Sequence, residues 1–389
     1  MLREVTPSTK HSVVVIGSLP PPINGQSKNL AAITEDISKI DGVRLTRCTI
    51  AAGSLTRNPA SRTLKLFRVA KALCVLFLKR FENRERTLYL VSDGGWGLIY
   101  TFLLAWTGRL LGYRLIIQHR TFQYVRTTKR LAGWIDRSVN GFHVFLCDAM
   151  AMQYRARYNS KAAYMVVGNL SQYSNFLGQP APERRPDNSV IRVGLLSNLY
   201  LTKGLDTFLA VAQRAKDKCL PVHFVLAGPV PDSASKTLID MAKENLGSML
   251  EVTGPLHGRH KDAFYVGLDV FMFATRYALE AQPNVVLEAM CAGCAIISAD
   301  RGCIASDVGD AGAIVASESE SNADSYLAHL EKMSANREVL ETARTRAHQL
   351  AQQGIKRDRF AYAQFLNAVA GSNVRPGGNG AQSQTIYSN

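Results

Sequence analysis

Residues 277–295 read YALEAQPNVVLEAMCAGCA, and two carboxylates in this stretch, Glu280 and Glu288, bracket a helix start. Pro283 stands where a first helical residue is favoured, because it lacks the N–H that would be orphaned there, and Gly293 stands where a C-terminal cap is wanted. The spacing predicts a helix from Asn284 to Ala292. Its first turn presents the N–H groups of Asn284, Val285 and Val286 with the positive end of the helix dipole behind them, which attracts phosphate. Neither carboxylate can pair with a phosphate, so each is read as an acceptor for hydroxyl groups beside it. A nucleotide sugar carries hydroxyls on both sides of its diphosphate. An ordinary loop-to-helix junction with two solvated glutamates is the plainer alternative, and the rest of the chain decides between them.

A chain of 389 residues with 47% hydrophobic residues can bury two ordinary cores. Of the net charge of +15, residues 1–180 supply all the excess, with 25 Lys/Arg against 9 Asp/Glu, whereas residues 181–389 hold 21 against 22. The first half therefore faces something anionic: nucleic acid, an acidic membrane or an acidic substrate. The seven cysteines are scattered, which speaks against a disulfide framework and for a reducing compartment. Cys291 and Cys294 have CxxC spacing, but no second pair completes a metal site, and both read as small packed residues. The N-terminus has no apolar stretch of signal-peptide length, and charges interrupt the most apolar windows. These features predict a cytoplasmic protein with at most a peripheral association with the inner face of the membrane.

Short apolar runs alternate with amphipathic windows throughout, the pattern of parallel sheets with helices on both faces. Residues 12–18 (SVVVIGS) form a strand, followed by a proline loop, Gly25 and a helix start near Gln26 to Lys28. Gly25 permits close approach of backbone to a ligand, although the G-x-G-x-x-G of a dinucleotide site is missing. Residues 61–80 form a strongly apolar helix ringed by Lys65, Arg68, Lys71, Lys79 and Arg80. It can cover the sheet, adsorb weakly on an anionic surface, or do both. His119, beside Arg120 and near Tyr124, falls at the carboxyl end of a strand, where doubly wound sheets put their ligands. The charged, proline-rich segment 178–189 is the expected linker. Beyond it, Lys203 and Gly204 stand at a strand-to-helix switch, where an ammonium and backbone N–H groups can meet a diphosphate.

Glu280, seven residues containing a proline helix start, and Glu288 resemble the E-x7-E motif of the retaining family 4 glycosyltransferases. The segment from Ser197 to Gly204 resembles that family's G-R-L-x-x-x-K-G, with Ser197 and Asn198 in place of the usual Gly and Arg. Asn198 can donate hydrogen bonds but cannot neutralise charge: either another base, Arg120 or Arg276, compensates for the missing cation, or donor affinity is low, or the donor differs. The resemblance extends to about residue 370, more specific in the second half.

It implies an α/β GT-B fold, two Rossmann-like doubly wound domains facing a central cleft with a C-terminal helix crossing back to the first. The expected domains are 1–177 for the acceptor, the linker 178–189, 190–355 for the donor, a terminal helix 356–370 on the first domain, and a disordered tail 371–389. The implied reaction is retaining transfer of a sugar from a nucleotide-diphosphate donor to an acceptor hydroxyl. Glu280, His119 and Lys203 are its expected catalytic residues. Gly25, Asn198, Lys203, Pro255, Leu256, Asn284, Val285, Val286 and Glu288 are expected to bind the donor, Pro255 and Leu256 through backbone contacts to the base. No D-x-D pair stands at a strand end, so neither a metal nor another cofactor is expected. The basic first domain points to a polyprenyl-linked saccharide of exopolysaccharide, capsule or lipopolysaccharide assembly. The rival readings are a GT-B sugar-nucleotide epimerase and a basic nucleic-acid-binding protein. The second has no binding motif to support it, so no nucleic acid is expected as a partner.

Overall fold

The structure is a computed structural model, and it describes residues 11–21, 25–51, 59–82, 84–180, 190–316 and 322–371. Most of the expected linker (181–189) and the tail from 372 lie outside the described residues. The chain divides into unit 1, Met1–Gln172 with Asp358–Asn389, and unit 2, Tyr173–Arg357.

Unit 1 holds strands β1 (His11–Gly17), β2 (Val43–Thr49), β3 (Glu85–Ser92), β4 (Arg114–His119), β5 (Phe142–Phe145) and β6 (Ala163–Val166), in the order β2-β1-β3-β4-β5-β6. All pairings are parallel, and Val14 of β1 lies opposite both Thr46 and Leu88. Parallel neighbours require crossovers, and helices supply them: α1 (Gly25–Ser38), α2 (Pro59–Lys79), α3 (Leu98–Leu110) and shorter ones after them. With both faces covered, β1 is buried along its whole length, which is why VVVI reads as a continuous apolar run.

One face of this sheet is closed by α1 and by the last turns of the long helix Arg337–Val369. Phe365, Ala368 and Val369 join Val13, Leu30 and Ile33 in a single core. The Phe365 ring sits 5.3 Å from that of Tyr89, Arg114 donates to the Ala368 carbonyl (2.9 Å), and the Tyr362 hydroxyl donates to Asp36 (2.9 Å).

Unit 2 repeats the plan with β7 (Ile191–Leu196), β8 (Val222–Ala227), β9 (Leu250–Gly254), β10 (Val270–Phe273), β11 (Ala295–Ala299) and β12 (Gly312–Val315), ordered β12-β11-β10-β7-β8-β9. The chain reverses direction across the sheet between β7 and β10. Their pairing covers only Val270 with Val193 and Phe271 with Gly194, so their carboxyl ends are not paired with each other. A crevice outside the carboxyl ends at such a switch point is where doubly wound sheets bind ligands. The loops after β7 and β10 are the two that carry Lys203 and Glu280.

All three tryptophans, Trp96, Trp106 and Trp134, belong to unit 1, so their fluorescence reads that unit selectively. Phe365→Ala is expected to destabilise unit 1 by about 3–5 kcal/mol, the cost of removing a buried phenyl ring, seen as an earlier urea midpoint in tryptophan fluorescence.

Candidate active site

The site in unit 2 begins with a glycine. Gly204 follows the short turn Leu201–Lys203 at φ +84 and precedes the helix Leu205–Asp217. A Cβ there would lie 2.2 Å from the backbone oxygen of Ala274, the first residue after β10. Only glycine permits both the left-handed turn and this approach. The two loops are then stitched together: the Arg276 N–H donates to the Thr202 carbonyl (2.8 Å), and the Arg276 guanidinium donates to Asp206, Thr207 and the Leu201 carbonyl.

That junction brings Lys203 to Glu280, with Nζ 2.6 Å from Oε2. The Thr275 hydroxyl donates to the same oxygen (3.3 Å), and the ammonium stands 4.3 Å above the centre of the Tyr277 ring. Both side chains are mostly shielded from water, so their charges act strongly on whatever enters beside them.

The helix of the opening motif runs Asn284–Cys291, with Ala292 as its C-cap and Gly293 at φ +71 beyond it. One expectation is corrected: Pro283 is the N-cap, with extended backbone, and Asn284 is the first helical residue. A second is narrowed, because the Val286 N–H turns back to the Pro283 carbonyl (3.1 Å) instead of pointing outward. Asn284 and Val285 are half-buried in the first turn.

Glu288, one turn further on, is held by three residues that belong to no motif of the sequence. Lys261 lies 2.6 Å from Oε2, Tyr265 donates to the same oxygen (2.8 Å), and Tyr173 donates to Oε1 (3.2 Å). Lys261 and Tyr265 sit one turn apart on the helix Gly258–Val266, which starts directly after Pro255 and Leu256. Burial, reinforced by the Glu288 charge, pushes both tyrosine hydroxyls well above their ordinary range, so they remain proton donors to the carboxylate. The i, i+4 spacing of Lys261 and Tyr265 is visible in the sequence, but their common partner is not.

Asn198 is exposed in the loop after β7, and its side chain makes no hydrogen bond among the described residues. Arg276 pairs with Asp206, 2.8 Å between Nη2 and Oδ2. Burial pushes the thiols of Cys291 and Cys294 up to about 12, the behaviour of packed residues.

Gly25 is the exposed first residue of α1 in unit 1. His119 is corrected more sharply. It is 1% exposed, and both ring nitrogens are taken: Nδ1 by the Tyr124 hydroxyl and Nε2 by His143 Nδ1, each at 2.8 Å. His143 Nε2 in turn meets Asp136 (3.0 Å), whose carboxylate requires a donor there. His143 Nδ1 is therefore an acceptor, His119 Nε2 donates to it, and His119 Nδ1 accepts from Tyr124. A strand-end position indicated a ligand-facing histidine, but the ring lies flat on Phe145, 4.7 Å between centres, inside the core. Arg120 beside it is also buried, its Nε donating to Gln118.

Burial, with His143 adding to it, holds His119 well below the ordinary histidine value. The folded state then resists a proton that the unfolded chain accepts. The stabilisation from a neutral His119 is full above the ordinary value of about 6.5 and is lost as pH falls below it, by about 1.4 kcal/mol per pH unit. Urea unfolding of unit 1 by tryptophan fluorescence from pH 7 downward is expected to show that slope, reduced in His119→Gln. In unit 2, Gly204→Ala is expected to cost at least about 1–3 kcal/mol, read by circular dichroism, because it combines backbone strain with the Ala274 clash.

Residues 188–336 match the family model described as Glycosyl transferases group 1. No curated protein matches the sequence. Among solved structures, the chain is similar to a sucrose-phosphate synthase from Thermosynechococcus elongatus, at 15% identity and a TM-score of 0.64, covering 92% of this chain and 98% of that one. It is similar to an α,α-trehalose-phosphate synthase (UDP-forming) from Burkholderia vietnamiensis, at 12% identity and a TM-score of 0.62, covering 92% and 100%. It is also similar to HepE from Anabaena in complex with UDP, at 14% identity and a TM-score of 0.62, covering 92% and 100%. Residues 188–336, which hold Lys203, Glu280 and Glu288, thus resemble the Glycosyl transferases group 1 domain, and the two doubly wound units have the GT-B fold of these structures.

Proposed function

We propose that the protein transfers a sugar, with retention at the anomeric carbon, from a nucleotide-diphosphate sugar bound on unit 2 to a hydroxyl of a polyprenyl-linked saccharide. The observation that carries this reading is the Lys203–Glu280 pair, set at the switch point of the sheet and next to the N-terminus of the Asn284 helix. In the ligand-free arrangement the two charges neutralise each other. An entering diphosphate competes for the Lys203 ammonium, and Glu280 is released to accept from the sugar hydroxyls.

As the bond from the anomeric carbon to the diphosphate oxygen breaks, Lys203 and the N–H groups of Asn284 and Val285 stabilise the departing charge, while the Glu280 carboxylate favours the oxocarbenium-like centre. The acceptor oxygen bonds to the same face of that carbon, and its proton passes to a diphosphate oxygen. Glu288 accepts from the ribose hydroxyls, taking its place in the network of Lys261, Tyr265 and Tyr173. The loop at Pro255 and Leu256 contacts the base. Lys203 and the helix terminus take the diphosphate charge that a divalent cation would otherwise carry. The structure of the Anabaena neighbour holds UDP, which makes UDP the first nucleotide to try. The positive excess of residues 1–180 supports an anionic, lipid-borne acceptor and a place on the inner face of the membrane.

Calorimetry with UDP, GDP, ADP and their common sugars tests the donor site. One nucleotide is expected to bind with or without EDTA, and Lys203→Ala and Glu288→Ala are each expected to weaken it about tenfold to a hundredfold, the loss of one charge-assisted hydrogen bond. Glu280→Gln is expected to retain nucleotide affinity and to lower turnover about a hundredfold or more, since its charge acts in the transition state. If no nucleotide binds under any of these conditions, the assignment fails.

A further inference from the structure

Helix α2 has two apolar faces, and unit 1 uses one of them. Val69, Ala72 and Leu76 are buried toward the sheet. Leu66, Phe67, Phe77 and Leu78, with Phe81 just past the helix end, fall in an outward sector of about 120° at 100° per residue. Phe67, Leu78 and Phe81 are 67%, 68% and 72% exposed. Phe77 and Phe81 meet edge to face, 5.6 Å between ring centres, which makes a continuous aromatic end to the sector. An exposed apolar face of this extent marks an interaction surface.

Charge identifies the partner. Residues 59–81 contain six Lys or Arg and no Asp or Glu. Lys65 and Lys79 turn inward to Asp93 and Glu82, and Arg68 donates to the Ala51 carbonyl. Arg62 and Lys71 are exposed and flank the apolar sector on opposite sides. Arg80 donates to the Leu111 carbonyl (2.9 Å), tying the end of α2 to the last turn of α3, where Arg109 and Leu110 are also exposed. A second copy of this face would set like charges together. A nucleic-acid duplex, whose bases are stacked inside, would gain nothing from the central phenylalanines and leucines. A bilayer with anionic headgroups satisfies both parts, because apolar side chains enter the acyl boundary while flanking cations stay with the phosphates. Among the described residues no helix is long and apolar enough to cross a membrane, so α2 lies on the surface rather than through it.

We infer that α2 is the membrane-docking element of unit 1, lying in the interfacial plane of an anionic bilayer with Phe67, Phe77, Leu78 and Phe81 inserted and Arg62 and Lys71 at the headgroups. The inference deepens the lipid-acceptor reading and is independent of the donor site. Flotation of the full chain with vesicles of phosphatidylcholine alone, or mixed with phosphatidylglycerol, tests it. Binding is expected to the mixed vesicles and to weaken with salt. Phe67→Glu with Leu78→Glu is expected to reduce it at least about tenfold while thermal unfolding is unchanged. Arg62→Gln with Lys71→Gln is expected to reduce binding to the mixed vesicles. No binding of the wild type, or equal binding of the Phe67/Leu78 variant, overturns the proposal. So does a dimer, seen by sedimentation, that the Phe67/Leu78 variant dissociates, since the face would then belong to a second copy. Nucleotide calorimetry on the same samples reports on the donor site separately.

Discussion

The close approach of Gly204 to the Ala274 carbonyl is the constraint on which unit 2 depends. Without a Cβ, the turn after β7 settles against the end of β10, and the loops of the two strands flanking the switch point become one surface. The Lys203–Glu280 pair and the Arg276 bridge to Asp206, Thr207 and Leu201 follow from that contact. A substrate-binding group can be positioned accurately in this way because the positioning is done by backbone and not by flexible side chains.

The two glutamates of the opening motif are held in different ways. Glu280 has the Lys203 ammonium and the Thr275 hydroxyl as partners. Glu288 accepts from an ammonium and two phenols that burial keeps protonated. Desolvated carboxylates need such partners.

Unit 1 shows how a strand-end histidine can be structural. His119 lies at the position where ligands bind in such sheets, yet Tyr124, His143 and Phe145 enclose it, and a buried chain ending at Asp136 fixes its proton. Outside that core, α2 carries a second apolar face that folding leaves uncovered, beside basic residues that have no acidic neighbours on the helix.

The sequence by itself determined the alternation of strands and helices, the parallel sheets, and the helix start at Asn284 that stands between Glu280 and Glu288, because apolar periodicity, Pro283 and Gly293 act locally. It also determined the charge asymmetry and the strongly apolar, basic character of the helix over residues 61–80. Tertiary structure decided which residues meet. Lys261, Tyr265 and Tyr173 reach Glu288 from distant parts of the chain, and the enclosure of His119 depends on β5 and the helix Asp148–Tyr158. Such contacts leave no local signature. Propensity and capping are properties of neighbours in sequence, whereas burial and hydrogen-bond partnership are settled only when the sheet order places remote loops side by side.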